Sequence, residues 1–179
     1  MTEGFSLGPN VRSDESKEQE KIPSVAVEIE RKFLTASQAW RQAIVKTQRI
    51  VDGLLMASDG CKLRVRLCDG LATLTFKGRR AGLSREEVEL PLDLAQAQRL
   101  LDHHCDGRIL SKSRHLVPQG ELTWEIDEYD TPLNGIVLAE IELPDVDHSV
   151  HLPHWIGDEV TGDPRWSKLK MLEMNSLSE

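Results

Sequence analysis

From Val25 onward the chain alternates. Val25, Val27, Ile29 and Phe33 fall on one face of a strand, with Arg31 among them, and Glu28, Glu30 and Lys32 fall on the other, because successive strand side chains point to opposite faces. The same period recurs downstream. Leu63, Val65 and Leu67 oppose Lys62, Arg64 and Arg66; Leu74 and Phe76 oppose Thr73, Thr75 and Lys77; Val88 and Leu90 oppose Arg85, Glu87 and Glu89. Lys112 and Arg114 share a face. Leu122, Trp124 and Ile126 oppose Thr123, Glu125 and Asp127, and Val137, Ala139 and Ile141 oppose Glu140 and Glu142. These runs predict eight strands near 25–34, 49–57, 61–68, 71–77, 84–90, 108–116, 121–128 and 136–143. Between them, Asp59-Gly60, Asp69-Gly70, Gln119-Gly120 and Asn134-Gly135 offer the positive φ that tight hairpins require. Helical spacing predicts helices over 37–48 (Trp40, Ala43, Ile44), over 93–103 with Asp93 as cap and Asp106-Gly107 as stop, and over 165–174.

The expected fold is mainly β, an α+β arrangement built on a closed eight-stranded antiparallel barrel. A sheet of about eight strands curls and closes, which removes its exposed edges. An ordinary antiparallel sheet turns its charged face to water. Here that face is nearly pure Glu, Asp, Lys and Arg across seven strands. If helices cover the apolar face, the charged face lines a hydrated tunnel. Unpaired charges are costly in a confined space. A polyanion held by the basic groups, with divalent cations held by the carboxylates, satisfies both sets. Mg²⁺ takes oxygen ligands from a few carboxylates plus substrate phosphates, and Lys and Arg donate charge-assisted hydrogen bonds to phosphate oxygens. The strand pattern therefore points to a metal-dependent polyphosphate or nucleotide site.

Composition sharpens this reading. The 179 residues allow one domain plus a tail. Residues 1–24, rich in Ser, Glu, Gly and Lys, read as a disordered extension, and 25–175 as the domain. The net charge of −8 argues against nucleic-acid binding, yet it hides an asymmetry. Residues 61–114 hold 11 basic and 7 acidic groups, whereas 115–179 hold 3 and 14. No apolar run is long enough for a membrane helix, and no secretory leader is expected. Cys61, Cys68 and Cys105 are odd in number and unclustered, as expected of reduced thiols in the cytoplasm. His148, His151 and His154 are spaced by three, but Pro153 breaks any shared helical face, so they read as a surface loop. Trp40, Trp124 and Trp155 read as barrel-covering core, and Arg79-Arg80 as a solvated turn or a guide that draws an anion inward.

Glu28-Ile29-Glu30-Arg31-Lys32 resembles the ExExK signature of the CYTH superfamily, the triphosphate tunnel metalloenzymes. The series continues in order with Arg64-Val65-Arg66 (RxR), Thr75-Phe76-Lys77-Gly78 (TxKG), Arg85-Glu86-Glu87-Val88-Glu89 (RxExE), Lys112-Ser113-Arg114 (KxR) and Trp124-Glu125-Ile126-Asp127 (WEVD). Ala139-Glu140-Ile141-Glu142 and Glu159-Val160-Thr161-Gly162-Asp163 complete it. His115 and Trp166 stand where relatives often carry Tyr. The chain resembles most the short bacterial single-domain members. The resemblance implies hydrolysis of a triphosphate, foremost inorganic tripolyphosphate, with Mg²⁺ or Mn²⁺. It implies Glu28, Glu30, Glu140 and Glu142 as metal carboxylates, and Glu87, Glu89 and Asp127 as catalytic or water-positioning groups. Lys32, Arg64, Arg66, Lys77, Arg85, Lys112 and Arg114 would grip the phosphates. Adenylate cyclase of the same type, thiamine or nucleoside triphosphatase, and a non-catalytic polyphosphate-binding module are the alternatives.

Overall fold

The computed structural model describes residues 24–176. All but the last residue of the expected N-terminal extension therefore lies outside the described residues. Nine strands form: β1 (Ser24–Thr35), β2 (Lys46–Ser58), β3 (Cys61–Cys68), β4 (Leu71–Lys77), β5 (Ser84–Leu92), β6 (Ile109–Gln119), β7 (Leu122–Tyr129), β8 (Val137–Glu142) and β9 (Ile156–Glu159). They pair antiparallel in the order β5-β4-β3-β2-β6-β7-β8-β1-β9, and β5 also pairs with β1. That last pairing closes an eight-stranded barrel. The first half of β1 bonds β5, from Ser24 opposite Glu89 to Ile29 opposite Ser84, and its second half bonds β8. The eight strands stand where the alternation put them. The β2–β3 and β3–β4 hairpins turn on Asp59-Gly60 (φ 50° and 80°) and Asp69-Gly70 (φ 48° and 82°), the left-handed pair that suits a two-residue loop.

The apolar face lies outside and is covered in two places. The helix α1 (Leu94–His104), capped by Asp93 whose side chain accepts from the Ala95 and Gln96 amides, lays Ala97 and Leu101 onto Val65, Ala72 and Cys105. On the opposite wall Phe33, Trp124 and Trp155 stack edge to face at 5.5 Å and bury with Trp40, Ile126, Ala139 and Ile141. A third cluster occupies the inside. Leu34, Leu110, Tyr129 and Leu138 are lumen-facing by strand parity, and they pack with Leu133, Val160 and Met171 of α2 (Lys168–Ser176). The lumen is thus filled by side chains at one end.

Two elements differ from the sequence expectation. The helix expected over 37–48 is a single 3-10 turn, Ala39–Ala43, and β2 already begins at Lys46. One turn suffices to bury Trp40, and Lys46–Gly53 find a full ladder of partners on β6, which outweighs a helix containing β-branched Ile44, Val45 and Thr47. The short β9 shows no alternation of its own and exists because it extends the free edge of β1, with Phe33 opposite Glu159.

Candidate functional site

The lumen holds a cavity of about 610 Å³, within the range of ligand pockets, lined by ten basic and nine acidic side chains. Register places them. Glu30 stands directly opposite Glu142 and Lys32 opposite Glu140 on β1 and β8. Glu28 faces Arg85 across β1 and β5. Lys77 faces Glu87, Thr75 faces Glu89, and Arg64 faces Thr75.

Two ion networks fill the space. In the first, Glu28 accepts from Lys77 Nζ at 2.7 Å and Arg85 Nε at 2.5 Å. Lys77 also pairs with Glu87 at 2.6 Å, and Glu30 accepts from Arg80 at 2.5 Å and Arg85 at 3.3 Å. Burial pushes the Glu28 carboxyl up, but Lys77 and Arg85 together hold it down to about 2. In the second, Arg114 forks onto Asp127 at 2.7 and 2.8 Å and reaches Glu140 at 3.0 Å, while Lys32 Nζ lies 2.7 Å from the other Glu140 oxygen. Burial opposes ionisation of Glu140, yet Lys32 and Arg114 keep it well below the usual carboxylate range. Beside this network Asp52 receives a fork from Arg66 at 2.7 and 3.0 Å and a bond from Lys168 at 3.0 Å, which ties α2 to the barrel wall.

Of the sequence-predicted residues, Glu28, Glu30, Lys32, Arg64, Arg66, Lys77, Arg85, Glu87, Glu89, Arg114, Glu140 and Glu142 all line the cavity. Lys112 and Asp127 do not. Their side chains are 1% and 0% exposed, bonded to each other behind the lining, and Asp127 holds Arg114 from there. Lys112 is therefore not part of the cavity lining. Asp52, Lys168 and Arg80 are among the charged lining residues that the sequence did not mark as part of the site. Asp52 sits in a mostly apolar run, Lys168 comes from a helix outside the barrel, and Arg80, read as solvated or as an anion guide, folds inward onto Glu30. For Arg80, the Gly78 and Gly82 flanking a doubled arginine were the available signal of a tight inward loop.

Two charges in the lining carry no hydrogen bond or ion pair among the described residues: the Glu142 carboxylate and the Lys62 ammonium. Burial and the like charges of Glu28, Glu125, Glu87 and Glu30 push the Glu142 carboxyl up. Among the described residues no three carboxylate, imidazole or thiol groups converge as a ready ion cage, since lysines and arginines occupy most of the carboxylates. The donor set is nonetheless one of hard oxygens gathered around an uncompensated Glu142, which fits a hard divalent cation.

The strands thus form a closed antiparallel barrel whose lumen carries both signs of charge. The chain belongs to the CYTH domain family, which it matches over residues 26–171. It is 36% identical over 139 residues to an inorganic triphosphatase of Acetivibrio thermocellus, covering 78% of this chain and 88% of that one. It is 33% identical over 144 residues to an inorganic triphosphatase of Nitrosomonas europaea, covering 78% and 92%. A crystal structure of an inorganic triphosphatase superposes with a TM-score of 0.59 at 28% identity, covering 80% of this chain and 96% of that one. A protein of Pyrococcus horikoshii shares the fold at 18% identity, with a TM-score of 0.53 and coverage of 67% and 80%.

Proposed function

We propose that the chain is a Mg²⁺- or Mn²⁺-dependent triphosphatase that hydrolyses inorganic tripolyphosphate to diphosphate and phosphate in the barrel lumen, in the cytoplasm. The observation that carries the reading is the lining itself: ten basic and nine acidic groups, nearly all neutralising one another, with one charge of each sign left over. A linear polyanion with bound cations replaces those internal pairs one for one, and the names of the two relatives above agree with that chemistry. The cavity lining holds a single aromatic ring among the described residues, Trp166, which favours an inorganic chain over a nucleotide or thiamine ester.

Phosphoryl transfer needs little covalent help and depends on positioning and charge compensation. Lys32, Arg64, Arg66, Lys77, Arg85 and Arg114 bind the phosphate oxygens. Lys77 and Arg85 exchange Glu28 for phosphate as they do so, and Arg114 is held in place by the buried Asp127. Glu28, Glu30, Glu140 and Glu142 would hold the divalent cations, which supply charge compensation to the phosphate oxygens when bound. Glu87 and Glu89 orient the attacking water, Glu89 being fixed by the Thr75 hydroxyl at 2.9 Å. Water adds to a terminal phosphorus, the P–O bond to diphosphate breaks, and the water protons pass to the lumen carboxylates and solvent.

The test is phosphate release from tripolyphosphate, ATP and thiamine triphosphate with Mg²⁺ or Mn²⁺, alongside an assay for cyclic AMP. Tripolyphosphate is expected to be hydrolysed at least tenfold more efficiently than either ester, without cyclic AMP. Cyclic AMP formation, or preferred turnover of an ester, would replace the proposal with the corresponding alternative.

A further inference from the structure

Lys62 sits on the lumen face of β3, two residues before the Arg64-Val65-Arg66 motif and outside it, and directly opposite Lys77 in the β3–β4 register. It lines the cavity and has no hydrogen bond or ion pair among the described residues. Four cations surround it, and each already has its own carboxylate: Lys77 pairs with Glu28 and Glu87, Arg85 with Glu28, Arg80 with Glu30 and Lys32 with Glu140. Burial first, and then Arg85, Lys32, Lys77 and Arg80, lower its pKa. Like charges directly opposite one another on neighbouring strands destabilise a sheet. A desolvated ammonium without a counter-ion adds to that cost. The ligand-free protein therefore carries Lys62 at a loss. Beside it on the same face, the buried Arg64 Nε–H makes no hydrogen bond but lies 3.8 Å from the Asp52 carboxylate. Lys62 is thus the one cation of the lining without a hydrogen bond or ion pair among the described residues.

We propose that Lys62 forms an anion subsite that binds one phosphoryl group of the substrate and that no other part of the lining duplicates. The inference rests on the triphosphate reading and deepens it: paired cations must first give up a carboxylate, whereas Lys62 has no hydrogen bond or ion pair among the described residues and engages the phosphate chain at no exchange cost. A residue of this kind has an unusual signature. Its removal weakens ligand binding and stabilises the free protein, the trade-off expected of a group kept for function.

The experiment compares wild type, Lys62→Met and Lys62→Arg by steady-state hydrolysis of tripolyphosphate, calorimetric binding of tripolyphosphate in EDTA, and thermal unfolding of the ligand-free chain. Lys62→Met is expected to raise KM and the metal-free dissociation constant about ten- to hundredfold, as for one charge-assisted contact, with kcat changed less than threefold. Its Tm without ligand should equal or exceed that of wild type, and Lys62→Arg should restore most of the binding. A KM and dissociation constant within twofold of wild type overturn the subsite. So does a lowered Tm with KM raised alike in both variants, which marks a structural role. Wild-type protein that neither binds nor hydrolyses tripolyphosphate overturns the triphosphate reading and the subsite together, a result read on the unmutated chain and so distinct from the first two.

Discussion

Replacing Asp127 by Asn keeps the side-chain shape and removes one buried charge. Asp127 is 0% exposed, bonded to Lys112 and forked onto Arg114. Burial alone would raise its pKa, but Lys112 and Arg114 hold it below the ordinary carboxylate value. In the variant Lys112, 1% exposed, would face Arg114 without its counter-charge. Breaking one side of a buried ion pair costs about 3–5 kcal/mol. The alternative available to the variant sets a ceiling of similar size. Releasing the Lys112 proton at pH 7 from the ordinary value of 10.5 costs roughly 5 kcal/mol at 1.36 kcal/mol per pKa unit. At 2–4 °C per kcal/mol for a chain of this size, Tm falls by about 6–20 °C. The pH dependence has a definite sign. Burial, and then Arg114, already lower the Lys112 pKa, and loss of Asp127 lowers it further. The unfolded state then binds more protons than the folded one between the lowered folded value and 10.5, so the stability of the variant rises with pH across that range, which is wider than in wild type. Thermal unfolding followed by circular dichroism from pH 6 to pH 10 measures both effects. A variant within 1 kcal/mol of wild type at pH 7, with a parallel pH profile, would refute the assignment of Asp127 as the buried anchor of Arg114.

Three further outcomes are expected. The lowered Glu28 carboxyl contributes on the order of 3 kcal/mol above its ordinary value of 4.5, and that stability is lost as pH falls toward 2; acid titration of Glu28→Gln should lack this part of the slope. Glu142→Gln removes a repulsion directly opposite Glu30, so the ligand-free protein gains about 0.2–1 kcal/mol in chemical denaturation at pH 7 and loses affinity for Mn²⁺ by calorimetry. A Cβ at Gly53 would lie 2.5 Å from Leu101 and 2.6 Å from Cys105; Gly53→Ala should therefore cost about 1–3 kcal/mol of overpacking, read by urea denaturation.

The barrel was legible because its alternation is inverted in purpose and unbroken in period. Glu28, Glu30 and Lys32 alternate with Ile29, Arg31 and Phe33, and that parity alone fixes which side chains meet in the lumen once β5 bonds β1. The turns were legible for the same local reason, since Asp-Gly pairs take φ values that few other residues accept. What escaped depends on contacts distant in sequence. Nothing near Trp40 indicates that Lys46–Gly53 will pair with β6, so one genuine helical turn looked like three. Lys112 and Arg114 have identical parity and similar charge. Only the packing of Tyr129, Leu110 and Leu138 at the filled end of the lumen separates the buried one from the cavity-lining one. Lys168 reaches Asp52 across 116 residues of chain, a pairing no local pattern encodes.

The central claim is that opposed carboxylates of β1 and β8 hold a divalent cation against a triphosphate. Glu30→Gln with Glu142→Gln tests it most directly, because Glu142 has no cationic partner among the described residues, Arg85 keeps its bond to Glu28, and Arg80, which loses its pair with Glu30, keeps its bond to the Leu83 carbonyl. With Mg²⁺ or Mn²⁺ supplied, wild type should release phosphate from tripolyphosphate and lose that activity in EDTA. The double variant, folded by circular dichroism, should be slower by a factor of at least about 100, the loss of some 2.7 kcal/mol of transition-state stabilisation. Cation-dependent release at the wild-type rate in the double variant would contradict the account.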